Sequence, residues 1–429
     1  MSASWRLRSL AARARSGSAR RALRFLPLAW SVVILLSAGC TCRCGEEQGG
    51  ESQPSFAGPV PEGALREAPD SGVRIGRHGG ELVLPTPADP RTFNPLLADE
   101  QSTTAVLFPL VYTTLTRWDP LSFRDEPELA ERWEVGADGT SYTFHLRRGL
   151  RWSDGQPFGA DDVAFNLEVV FDPTHPSSLR DAFRDSQGRL PRWEKLDGYT
   201  IRFTLDEVNV LFLSAIGSVY LAPKHRLERA WKEGRFSAAW SVATPPAELA
   251  GMGPFLVAGY HAGQRLVLQR NPWYWKVDAA GQRLPYLDRV VWLILADANA
   301  ALLRFEMGEI DVYEEVQAEQ YDLLRRLEAA GGCKVWDLGP SLDANYLSFN
   351  WNPGVGPEGR PLLDPIRRGW FADPRFRRAV SHAIDRGGIV ATVLLGRGRP
   401  LYCPDAQSNK LWYHPCKSYP YDQPRAAAL

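Results

Sequence analysis

Net charge is the first thing this sequence lacks: 50 lysines and arginines balance 50 aspartates and glutamates across 429 residues. That excludes a polyanion-binding surface spread over the whole chain, and no nucleic-acid partner is expected. Histidine is scarce. The seven present are scattered, with no local metal-ligand spacing, and no Gly-x-Ser-x-Gly elbow occurs, so neither a metal centre nor a hydrolase nucleophile is indicated. Long apolar runs are missing from the N-terminal region, where the stretch Phe25 to Leu36 covers only twelve positions, short of the roughly 20 needed to span a bilayer as a helix. Cysteine is sparse, and three of the six crowd together at Cys40, Cys42 and Cys44. Zinc sites use wider spacing with histidine or a second cysteine pair, so that cluster is not expected to bind metal.

What is present begins with an export signal. Arginines fill residues 6 to 24 without an acid among them, then come "FLPLAWSVVILL" and "SAGC". The small residues Ser37, Ala38 and Gly39 before Cys40 resemble the bacterial lipoprotein cleavage box, although Leu36 sits one place further back than in its commonest form. Acylation of Cys40 is the expectation; an ordinary signal cut near Ala38 is the alternative. Residues 1–39 are thus read as a signal peptide and 40–79, rich in Gly, Pro, Ser and Glu, as a flexible tether. Cys403 and Cys416 bracket "CPDAQSNKLWYHPC" and form a disulfide or remain two thiols; an oxidising compartment permits the bond.

From residue 80 the composition is that of a folded protein. Leu82 to Leu84 reads as a strand, and "STTAVLFPLVYTTL" as a helix interrupted or kinked at Pro109. Trp133 and Val135 alternate into a Gly-Ala-Asp-Gly turn, and on the return Tyr142, Phe144 and Leu146 share one face of a half-buried hairpin. Ser153-Asp154-Gly155 is a turn, and "GADDVAFNLEVV" a helix with Val163, Leu167 and Val170 along one stripe. Asp154, Asp161 and Asp162 invite a carboxylate active site. A turn and the first turn of a helix account for them, however, because carboxylates there face the positive end of the dipole. "GMGPF" marks a close chain crossing, "ANAALLRFEMGEIDV" a helix stopped by Gly308, and "DPRFRRAVSHAIDR" a helix capped by Asp373 with Phe376, Val380 and Ala383 on one face.

The stretch "PELAERWEVGADGTSYTFHLRRGLRWSDGQPFGADDVAFNLEVVFDP" resembles the signature region of the extracellular solute-binding proteins of family 5, the oligopeptide-, dipeptide- and nickel-binding components of bacterial ABC importers. The likeness extends over residues 80–429 through "NPLL", "FPLVYTTLTRWDP", "YLAPKHRLE", "GMGPFLVAGYHAGQRLVLQRNPWYW", "NYLSFNWNPG" and "DPRFRRAVSHAIDRGGIVATVLLGRGRP". Two departures stand out: Met252 where the family has threonine or asparagine, and Gly159 where threonine is common.

The resemblance implies an α/β, periplasmic-binding-protein-like type II fold of two lobes with an extra inserted α+β domain. The first lobe comprises 80–111 and 214–335, the inserted domain 112–213, and the second lobe starts at 336. It implies a lipid-anchored substrate-binding component that closes on a peptide or other small solute and hands it to a permease/ATPase complex on the periplasmic side of the envelope, as a monomer without cofactor, metal or enzymatic activity. Implied ligand contacts are Asp99 and Glu100 after "NPLL", and Tyr346, Phe349 and Asn350 on the strand "NYLSFNWN". A sensor or chaperone-like relative of the same fold, or an inactive fragment, is the alternative. Asp422 and Pro424 signal a helix start five residues before Leu429. Because family members run on for a hundred residues or more, the expectation is a second lobe truncated within residues 336–429.

Overall fold

A computed structural model describes residues 9–12, 56–67 and 75–429, except 121, 175–176, 315, 340–344, 357 and 411. Of residues 1–39 only the backbone of Ser9–Ala12 is described, paired antiparallel with Lys334–Asp337. Cys40 lies outside the described residues. Two compact units are distinguished: the first holds the described residues from 56 to Val312, and the second holds Tyr313–Leu429 together with residues 9–12.

The first unit contains two four-stranded sheets. In one, Glu81–Thr86 pairs parallel with Arg289–Ile294, followed by Arg265–Arg270 and Phe255–His261 in antiparallel order. Leu82, Leu84 and Thr86 are buried while the residues between them are not, as period-two alternation requires. The other sheet is drawn wholly from Ala130–Val135, Ser141–Leu146, Thr200–Thr204 and Arg192–Asp197. Tyr142, Phe144 and Leu146 are buried on one face, where Phe144 and Phe203 meet edge to face at 5.7 Å. Helix Ala160–Phe171 packs on helix Lys224–Lys232 and buries Val163, Leu167 and Val170.

The glycines of "GMGPF" sit where two chains cross. A Cβ on Gly251 would lie 2.1 Å from the Val111 carbonyl oxygen and one on Gly253 2.4 Å from that of Leu110. Across this crossing Gly253 N–H donates to Val111 O (2.9 Å) and Phe255 N–H to Leu110 O (2.8 Å). The expected helix through residue 115 is corrected here. It spans Gln101–Leu107, Phe108 is extended, and the Phe108–Pro109 bond is cis. The residue before proline is pushed out of the helical region, and Leu110 and Val111 then spend their carbonyls on the crossing instead of on helical bonds.

The tether is corrected as well. Residues 56–67 are bound to the first unit: Ala57 N–H donates to Pro272 O (2.9 Å), Gly63 N–H to Arg148 O (3.0 Å) and Glu67 N–H to Val277 O (2.9 Å). Composition signals flexibility here because the stretch carries little apolar surface, yet backbone hydrogen bonds hold it regardless of side-chain type. Residues 40–55 and 68–74 lie outside the described residues.

In the second unit Asp373 caps helix Pro374–Ala383 through the Arg375 N–H. Phe376 and Val380 are half-buried, but Ala383 is exposed and His382 is buried in its place. His382 Nδ1 lies 2.6 Å from Pro420 O, and Asp422 N–H donates to His382 O (2.8 Å). This docking lets the short helix Gln423–Ala428 form beside Pro374–Ala383, although a helix of that length is unstable in isolation. Cys403 and Cys416 are bonded, with Cα atoms 5.5 Å apart.

Candidate functional site

The loop that presents Asp99 and Glu100 is fixed from inside. Asn94 is fully buried. Its side-chain oxygen accepts from Leu96 N–H (3.1 Å), its amide donates to Ala239 O (3.4 Å), and its own N–H donates to Thr92 Oγ1 (3.0 Å). Phe93 N–H donates to Trp240 O (2.8 Å) while Phe93 O accepts the Tyr112 hydroxyl (2.5 Å). Burial pushes that hydroxyl's pKa far up, so it stays a donor. Trp240 adopts φ 57°, a left-handed conformation that costs a non-glycine residue on the order of 1 kcal/mol. The two hydrogen bonds reaching its carbonyl, from Phe93 N–H and the Thr92 hydroxyl, hold it there.

At the end of this loop Asp99 is exposed and Glu100 half-buried, immediately before helix Gln101–Leu107. Burial opposes ionisation of Glu100, but the Thr103 hydroxyl and backbone donors outweigh it and hold the carboxyl below its usual range. Thr103 Oγ1 in turn accepts Arg91 N–H at 2.9 Å. The arrangement presents fixed negative charge suited to an amine or hydroxyl donor.

The other three expected contacts belong to the second unit. Tyr346 is 82% exposed. Phe349 is half-buried against Phe371 (5.2 Å) and Phe376 (5.7 Å), and Asn350 Oδ1 accepts Asn352 N–H (3.0 Å). The expected strand "NYLSFNWN" is corrected: residues 345–352 join no sheet among the described residues. Alternating side chains cannot by themselves make a strand without a partner for its backbone.

The carboxylates of "WSDGQPFGADD" are engaged structurally. Asp154 meets His225 Nε2 (2.7 Å) and Arg226 Nε (2.9 Å). Burial opposes its charge, yet those partners outweigh it and bring its pKa down to about 2. Asp161 pairs with Lys195 at 2.6 Å. Asp162 accepts the N–H groups of Gly159 and Lys224, both at 3.1 Å, while burial pushes its pKa up. Among the described residues no three His, Cys, Asp or Glu side chains are grouped to hold a metal, and no helix is long and apolar enough to cross a membrane.

Sequence reasoning missed the supports behind this loop, because Ala239 and Trp240 are remote in sequence from Asn94 and Tyr112, and the strings around Asn94 and Tyr112 do not show which backbone groups they will meet. It also missed a buried ionic cluster. Lys276 lies 2.9 Å from Glu128 and 3.0 Å from Glu67, with Arg117 3.5 Å from Glu67. Burial opposes the Lys276 charge, but Glu128 and Glu67 outweigh it and raise its pKa.

Similarity to known proteins runs over the same elements. Residues 126–429 match the family described as "Bacterial extracellular solute-binding proteins, family 5 Middle". A probable ABC transporter-binding protein of Deinococcus radiodurans is 27% identical over 346 residues, 78% of this chain and 56% of that protein. The oligopeptide-binding protein AppA of Bacillus subtilis is 26% identical over 344 residues, 79% of this chain and again 56% of the relative. The solved structure of the periplasmic binding protein MelB from Agrobacterium fabrum, in complex with stachyose, matches with TM-score 0.64 and 27% identity over 75% of this chain and 50% of that one. The chain therefore spans about half the length of these relatives, and its mixed α/β fold is that of the type II periplasmic binding proteins. A match over most of the chain makes this chain a member of the bacterial extracellular solute-binding proteins of family 5.

Proposed function

We propose that the protein is a lipid-anchored, periplasmic substrate-binding component of an ABC importer, taking up a peptide or similar small solute and delivering it to a membrane permease. The observation that carries this reading is the family 5 match over residues 126–429, joined to a rigidly supported loop that ends in Asp99 and Glu100. Binding is non-covalent. Asp99 and Glu100 are the proposed acceptors for donor groups of the solute, and Tyr346, Phe349 and Asn350 are proposed as further contacts offering aromatic rings and an amide. The relatives' own ligands include oligopeptides and stachyose by name, so the solute class is set by side chains and not by the fold. Cys40 acylation keeps the protein at the membrane.

The test is a thermal-shift screen of the 429-residue chain against di- to nonapeptides and oligosaccharides, repeated on Asp99→Asn/Glu100→Gln. A ligand present at 100 times its Kd raises stability by about 2.7 kcal/mol, and the double variant should lose most of that gain. If no solute stabilises the protein, or the double variant responds equally, the reading fails. Cys40→Ala is expected in the soluble fraction; retention on membranes after a high-salt wash would refute the anchor.

A further inference from the structure

Helix Pro365–Ala372 of the second unit is held at its two ends and bare between them. Asp364 caps it by accepting from the N–H groups of Ile366 (2.7 Å) and Arg367 (3.4 Å). Phe371, half-buried, packs on Phe349 (5.2 Å) and Phe376 (5.9 Å), and its carbonyl accepts from Arg377 (2.6 Å). Every other residue of the helix is exposed. Ile366 is 66% and Trp370 54% exposed, and one turn apart they share a face. Leu362, just before the cap, is also exposed. Charge is uneven here. From Arg360 to Arg386 there are seven arginines against three aspartates, with no lysine or glutamate, in a chain that is neutral as a whole. All three aspartates are engaged: Asp364 in its cap, Asp385 with Gly388 N–H (2.8 Å) and Asp373 with Arg375 (2.8 Å). Among the described residues the guanidinium groups of Arg367 and Arg368 have no hydrogen-bond or ion-pair partner.

We propose that this helix is a docking surface for a bilayer containing anionic phospholipid, a contact that goes beyond solute binding and does not depend on acylation of Cys40. Ile366 and Trp370 enter the headgroup region, where an indole with apolar neighbours is favoured. Arg367 and Arg368 meet phosphate oxygens, which accept a guanidinium in bidentate fashion. A membrane surface offers the apolar and the anionic partner together. A second copy of this chain, docked symmetrically, would bring its own Arg367 and Arg368 to the same patch, and like charges oppose that contact. A purely apolar polypeptide would leave both guanidinium groups unused. Each arginine near an anionic surface contributes about 5-fold in affinity, the equivalent of about 1 kcal/mol. The contact is therefore weak and salt-sensitive, sufficient to bring this helix against lipid but not to retain the protein by itself.

The experiment uses the 429-residue chain with Cys40→Ala, so that acylation does not mask a weaker contact. It is sedimented with vesicles of phosphatidylcholine alone, or of phosphatidylcholine with about one part in three of phosphatidylglycerol. Binding should favour the anionic vesicles and weaken as salt is raised. In the same background Arg367→Gln/Arg368→Gln should lower affinity about 30-fold and Trp370→Ala about 10-fold. Far-UV spectra should not change, because all three side chains are exposed. Amide exchange over residues 366–372 locates the contact, and anionic vesicles should slow it. Equal binding to both vesicle types, unchanged binding by the arginine variant, or exchange at 366–372 that vesicles leave unaltered overturns the proposal. So does a concentration-dependent dimer that Trp370→Ala dissociates, since a second copy then covers the face. Failure of Cys40 to anchor the protein leaves every one of these readouts as it is.

Discussion

Substituting Gly253 with alanine tests the reading of the chain crossing most directly. The added Cβ falls 2.4 Å from Leu110 O and 2.7 Å from two carbonyl carbons, all backbone atoms that no rotamer change can move. Relief requires the 110–111 segment to separate from 253–255, which loses the bonds Gly253 N–H to Val111 O and Phe255 N–H to Leu110 O. Each is worth about 1 kcal/mol net, and the forced overlap adds about 1–3 kcal/mol. The expected loss is therefore roughly 3–5 kcal/mol, or roughly 6–20 °C in the first unit's melting midpoint at about 2–4 °C per kcal/mol. Gly259, in the strand Phe255–His261, is the control: a Cβ there meets nothing within 4 Å. Gly259→Ala should be neutral or stabilising by up to about 1 kcal/mol. Circular-dichroism melts with amide exchange at Phe255 measure both. Indistinguishable midpoints for the two variants would refute the steric argument.

Lys276→Met should cost about 3–5 kcal/mol in denaturant unfolding, because it leaves Glu128 buried opposite Glu67 with one cation fewer; a double Lys276→Met/Glu128→Gln variant should recover part of that loss. Asp154 has a folded-state pKa lowered to about 2, so its stabilisation, roughly 2 kcal/mol, is complete above pH ~4 and is lost as pH falls through 2. Asp154→Asn should flatten the stability profile between those pH values, and an unchanged slope would tell against the His225 and Arg226 pairing. Replacing Cys403 and Cys416 by serine opens a loop of 13 residues and should cost about 3 kcal/mol locally. Exchange at Asn409 and Tyr413 should quicken, while melting of the first unit stays unchanged.

Much of the fold was legible in the residues. The Asp373 cap, the stop at Gly308, the hairpin alternation at Tyr142, Phe144 and Leu146 and the stripe Val163, Leu167, Val170 all express local rules, since a cap or a buried face needs only neighbours within a few positions. Gly308 shows this plainly, with its φ of 76° closing helix Ala298–Met307. The helix beyond Leu107, the strand at 345–352 and the tether at 56–67 were misread, each because a partner remote in sequence decides what the backbone does there.

The five expected ligand contacts were readable only as positions. Asp99 follows "NPLL" at a family spacing, but nothing in that string shows that Asn94 is buried, that Tyr112 braces Phe93, or that Trp240 bends to receive them.

By itself, then, the order of residues determined the local elements, because hydrophobic period, capping and turn chemistry act over short spans of chain, and its resemblance to family 5 supplied the family and the class of fold. Tertiary structure alone decided which partners the structural carboxylates take. Asp154 finds His225 and Arg226 more than seventy residues away. It also decided that a proline- and glutamate-rich stretch is bound to the fold and not free. Both depend on partners that become neighbours only when the chain has folded, and the charge on a side chain carries no record of which partner that will be.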